Sequence, residues 1–82
     1  MILAKVYIQP KTTVKDPQGN TIKSGLQDLG FTDVEKVNMG KYLEIKLNTQ
    51  NKKLASEQIK KMCDQMLTNP LIEDYNFVIE KI

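Results

Sequence analysis

The sequence contains no histidine, no tryptophan and no arginine, and it has one cysteine. Histidine is the side chain whose ordinary pKa best suits proton transfer at neutral pH, so any catalysis would have to rest on carboxylates, lysines, tyrosines or Cys63. A lone cysteine excludes an internal disulfide framework, and without histidine it also excludes the zinc patterns built from Cys and His pairs. The carboxylates are scattered and follow no calcium or magnesium loop spacing. Twelve lysines face ten acids, for a formal charge of +2, so there is no concentrated basic stripe of the kind that binds nucleic-acid phosphates. The densest pairs, Lys52-Lys53 and Lys60-Lys61, read as solvated helix faces. No run approaches the roughly 18 apolar residues of a membrane helix, and MILAKVYIQPK has no basic start followed by a long apolar stretch, so the expected location is the cytoplasm.

What is there is enough for one small domain over 1–82. The chain has 82 residues, 40% of them apolar, close to the lower limit at which burial offsets chain entropy. Domains of this size often add disulfides, a metal or a partner chain. The residues for the first two are missing, so association is the expected device.

From Ile2 to Ile8 the even positions Ile2, Ala4, Val6 and Ile8 are apolar, the period of two of a strand, with Pro10 near its end. Leu3 and Tyr7 make the second face partly apolar. Asp16-Pro17 reads as an N-cap followed by proline at the first helical position, although Asp-Pro-Gln-Gly could instead form a turn with the helix starting nearer Asn20. Ile22, Leu26 and Leu29 form the stripe of that helix, which should dock on the core, and Gly30 suits a left-handed C′ residue. Val37, Met39, Leu43, Ile45 and Leu47 keep one parity across Gly40. That pattern fits either a hairpin through Met39-Gly40-Lys41 or one long bent strand. Asn51–Thr68 reads as a second helix with the stripe Ala55, Ile59, Met62 and Met66, widened by Cys63 and Leu67. Tyr75–Ile82 reads as the last strand, and its Val78 and Ile82 add apolar surface to the second sheet face.

The order strand, helix, strand or hairpin, helix, strand predicts an α+β, ferredoxin-like domain with an antiparallel sheet and two helices on one face. By itself such a fold leaves open an assembly subunit, a ligand-sensing regulatory domain and an RNA-binding module. RNA binding has little support, because only Tyr7 beside Lys5 offers an aromatic platform next to a cation. Cys63 lies beside the stripe of the second helix, as a small buried hydrophobe would, and Glu73-Asp74 read as a solvated turn. The four glycines fall in no phosphate-cradling motif.

Several segments together resemble one family. AKVYIQPK, VKDPQGNTI, LGF, VEKVNMGKYLEI and MLTNPLIEDYNFVIE, in this order, are similar to the PurS family, the small subunit of bacterial and archaeal formylglycinamidine ribonucleotide synthase. The most specific pieces are DPQG after a strand ending in PK, GKY in the centre and NPLIEDY near the end. The resemblance implies a non-catalytic assembly subunit in purine biosynthesis. It would bridge a PurQ-like glutaminase and a PurL-like large subunit that uses ATP to convert an amide to an amidine. ATP and glutamine would serve the complex, and this chain would bind no cofactor and no metal. The turn residues Lys11, Asp16, Gln18, Asn69 and Glu73 are the candidates for contact with the larger subunits. Leu3, Tyr7, Val78 and Ile82 are the candidates for self-association into a dimer or higher oligomer.

Overall fold

The computed structural model describes residues 1–12 and 15–82. Strand β1 (Ile2–Pro10) is central in a three-stranded antiparallel sheet, flanked by β2 (Lys41–Leu47) and β3 (Glu73–Lys81). Register preserves parity: Val6 lies opposite Leu43 and Phe77, and Ala4 opposite Ile45 and Ile79. The even residues of β1 therefore share an inner face with the apolar residues of both neighbours, and Ile2, Ala4, Val6 and Ile8 are buried.

Helix α2 (Lys52–Met62) covers that face. Asn51 caps it, with Leu54 N donating to Asn51 Oδ1 at 3.1 Å, and Lys60 and Lys61 in the last turn complement the helix dipole. Ala55, Ile59 and Cys63 are fully buried against the sheet. The helix predicted over Asn51–Thr68 is continuous from Lys52 to Leu67, but its last turn is not α-helical. After Met62 the chain widens into a π-helical turn, Cys63–Leu67, closed by Thr68, whose backbone N and Oγ1 both donate to Cys63 O at 3.0 and 2.7 Å. A turn closed at i+5 rotates later residues off a 3.6-residue stripe. Met66, expected on the core side, is 80% exposed as a result.

Helix α1 (Pro17–Asp28) begins and ends as the sequence implies. Asp16 accepts from Gly19 N, Pro17 holds the first helical position, and the alternative start near Asn20 is not adopted. At the other end Gly30 has φ +103°, Gly30 N donates to Gln27 O and Phe31 N to Leu26 O, which is the paired closure of a Schellman cap. The stripe does not dock, however. α1 supplies no residue to the core cluster, and Ile22 and Leu29 are 40% and 77% exposed.

The run from Val34 to Leu47 is neither a hairpin nor one long strand. Only Lys41–Leu47 is strand. The preceding residues lie along α1, where their backbone groups find other partners: Gln27 Nε2 donates to Val34 O, and Met39 N donates to Asp16 Oδ2. Gly19 makes this approach possible, because a Cβ there would run into Val37 O. Among the described residues the class is α+β, with three antiparallel strands and two helices, and the shape is open. The radius of gyration is 16.2 Å and the extents are 48 × 27 × 14 Å. A compact chain of this length would have a radius near 12 Å, roughly the value for its residue count.

Candidate partner interface

Two turns meet at one end of the sheet. Pro10 is in register with Glu73, Lys11 N donates to Ile72 O at 2.8 Å, and Lys11 Nζ lies 3.4 Å from Asp74 Oδ1. Across the turn from Asn69 to Glu73, the Glu73 carboxylate accepts from Asn69 N at 2.8 Å and pairs with Lys41 Nζ at 3.4 Å. Asn69 Oδ1 in turn accepts from Leu71 N. The structure thus brings Lys11, Asn69 and Glu73 together. Asn69 and Glu73 use side-chain oxygens to bind backbone N–H groups of the turn itself, and the Glu73 side chain is only 16% exposed.

Asp16 has a similar inward role. Its two oxygens accept from Gly19 N at 2.9 Å and Met39 N at 2.8 Å, so it pins the start of α1 to the chain leading into β2. Those bonds, Gly19 first and Met39 second, hold its carboxyl below the ordinary value. Asp16 shares a cleft with Lys11. Gln18 is exposed and lines a different, shallow depression with Pro17, Thr21, Ile22 and Met39. Of the five turn residues, Gln18 and the Lys11 ammonium are the groups directed least to holding the local backbone.

The outer sheet face carries Leu3, Tyr7, Val78 and Ile82 among charges. Lys5 and Glu80 pair across it at 3.1 Å, a contact that raises the Lys5 pKa through its hydrogen bond. Tyr7 packs on Tyr42 with ring centroids 5.1 Å apart. Leu3 is half-buried, whereas Tyr7, Val78 and Ile82 are exposed. A second apolar surface, not anticipated from the sequence, lies on α1 and the run after it, where Ile22, Leu29, Phe31 and Met39 are all exposed. The stripe itself was legible. Its lack of a partner within the chain was not, because periodicity says that a face is to be covered and not by what.

Cys63 is buried, and desolvation pushes its thiol up, with Asp64 adding to the effect. Among the described residues no group of three His, Cys, Asp or Glu side chains could hold a metal ion, and no helix is long and apolar enough to cross a membrane.

Comparison with known proteins places this arrangement. The family model described as PurS, phosphoribosylformylglycinamidine (FGAM) synthase, matches residues 3–81. The chain belongs to the PurS family. A PurS subunit of phosphoribosylformylglycinamidine synthase from Synechocystis is 43% identical over 75 residues, covering 92% of this chain and 75% of that protein. The crystal structure of PurS from Methanocaldococcus jannaschii, described as one of the subunits of formylglycinamide ribonucleotide amidotransferase in the purine biosynthetic pathway, superposes with a TM-score of 0.89. It is 38% identical and covers 100% of this chain and 99% of its own. A chain in the PurLQS structure from Thermotoga maritima superposes with a TM-score of 0.85 at 30% identity, covering 98% and 99%. The PurS resemblance of the DPQG, GKY and NPLIEDY segments therefore extends to the backbone. These segments form the α1 cap, the start of β2 and the turn into β3.

Proposed function

We propose that this chain is the non-catalytic assembly subunit of phosphoribosylformylglycinamidine synthase, bridging the PurL-like ATP-dependent synthase and the PurQ-like glutaminase in the cytoplasm. The observation that carries this reading is the end-to-end match to a chain of the PurLQS structure. The form of the molecule supports it. A protomer much more extended than its length requires, with an undocked amphipathic helix, leaves surface to be covered by other chains. The same features support a homodimer or higher oligomer as the unit that enters the complex, with the outer sheet face and the α1 surface as its contacts. ATP and glutamine act on the larger subunits, and this chain binds neither.

The division of labour makes the test specific. Ammonia supplied in solution bypasses the glutaminase, whereas glutamine requires the glutaminase to be docked on the synthase. Reconstitution with the two larger subunits is expected to give glutamine-dependent amidine synthesis only when this chain is present, with ammonia-dependent synthesis affected much less. Glutamine-dependent turnover at full rate without it would overturn the reading.

A further inference from the structure

The cleft that Asp16 shares with Lys11 has a volume of about 140 Å³, and three separate segments contribute cations to it. Lys11 comes from the end of β1, Lys15 from the approach to α1 and Lys36 from the run after α1. Asn20 and Asn38 add neutral polar groups to its wall. Among the described residues of the lining the acid is Asp16, which already accepts two backbone N–H bonds, so its oxygens are directed to Gly19 and Met39. Lys11 has Asp74 at 3.4 Å, but the ion pairs among the described residues involve Lys5, Lys11 and Lys41 and neither Lys15 nor Lys36. Although the chain is nearly neutral, folding has gathered a net positive cleft from residues that are far apart in sequence.

We propose that this cleft receives an acidic side chain of a partner subunit in the assembled synthase. Lysines present point charges on flexible stems, which can close on a single carboxylate without the planar fork by which arginine grips carboxylates and phosphates in two-bond fashion. The size agrees, because pockets that enclose small-molecule ligands run to about 300–1,000 Å³, while this one admits a side-chain head and part of its stem. The inference rests on the reading of the chain as an assembly subunit, and it names the chemistry by which part of that assembly is recognised.

The test compares wild type, Lys15→Glu/Lys36→Glu and the control Lys52→Glu/Lys53→Glu, whose exposed lysines lie on the first turn of α2 outside the cleft lining. Each is titrated into the two larger subunits at low and high potassium chloride, with complex formation read by sedimentation velocity. Wild type is expected to bind less tightly as salt rises. The cleft variant is expected to bind about tenfold more weakly at low salt and to lose most of that salt dependence, as for a charge pair removed from an interface, while the control keeps both. Circular dichroism should be unchanged, and Lys15→Gln/Lys36→Gln should fall between. Unchanged assembly by both cleft variants overturns the proposal but leaves the assembly reading standing, whereas failure of the wild type to join the complex overturns both. If 10 millimolar inorganic phosphate raises the melting temperature of wild type but not of the variant while assembly is unaffected, the cleft is a small-anion site and the proposal is wrong.

Discussion

At the scale of single residues, the polar turn side chains are fasteners. Asp16 joins two segments 23 residues apart through Gly19 N and Met39 N. Because those bonds favour the ionised form, the carboxyl titrates below its ordinary value of 3.8 in the folded chain. As pH falls, the unfolded chain takes up this proton first. The stabilisation is therefore complete above the unfolded value and is lost as pH falls through the folded one. Asp16→Ala is expected to lower the melting temperature at neutral pH by about 5 °C, the usual size of a lost N-cap in a small domain. Asp16→Asn, which still caps, should lose less at neutral pH and should show a shallower drop as pH falls below about 4. Melting curves across that range check both outcomes. A drop with the same slope as in wild type would remove Asp16 from the acid sensitivity.

At the scale of elements, α1 and α2 show how similar patterns reach different ends. Both helices are capped by a side-chain oxygen and both carry an apolar stripe. The α2 stripe is buried on the sheet, whereas α1 is held alongside the run that follows it and presents Leu29 and Phe31 to solvent, 77% and 58% exposed. Exposed side chains of this kind contribute little to the protomer but can contribute about 1.5–3 kcal/mol each once buried by another chain. Leu29→Gln/Phe31→Gln is therefore expected to leave the far-UV circular dichroism of the protein unchanged and to weaken its self-association or its entry into the complex by tenfold or more. Sedimentation velocity measures this. Unchanged association would move the contact to the outer sheet face around Tyr7 and Val78.

At the scale of the whole molecule, the open shape is the dominant fact. Among the described residues one helix covers one face of a three-stranded sheet, β2 and β3 are its edge strands, and the longest dimension is 48 Å. A single core of this size is marginal. The protein is expected to have a solution mass at least twice the 9.4 kDa of one chain at micromolar concentration, measured by light scattering. A stable 9.4 kDa species with a cooperative melt would show that the half-covered sheet suffices alone, and would leave the larger subunits as the only cover for the α1 surface.

Local chemistry was sufficient for much of this molecule. The period of two in Ile2–Ile8 and Leu43–Leu47, the Asp16-Pro17 start and Gly30 stop of α1, the buried position of Cys63 and the α+β class follow from side-chain alternation, capping and backbone sterics, all of which act within a few residues. The ordered PK, DPQG, GKY and NPLIEDY segments likewise carried the family. Tertiary structure decided the rest, because it depended on which distant groups compete for the same backbone. The run before β2 has the parity of a strand, yet Asp16 and Gln27 of the α1 segment bind Met39 and Val34, and the strand begins only at Lys41. Thr68 bonds back to Cys63 and turns Met66 out of the core. Lys11, Lys15 and Lys36, unremarkable in a nearly neutral sequence, meet around one cleft because the end of β1, the start of α1 and the run before β2 converge there.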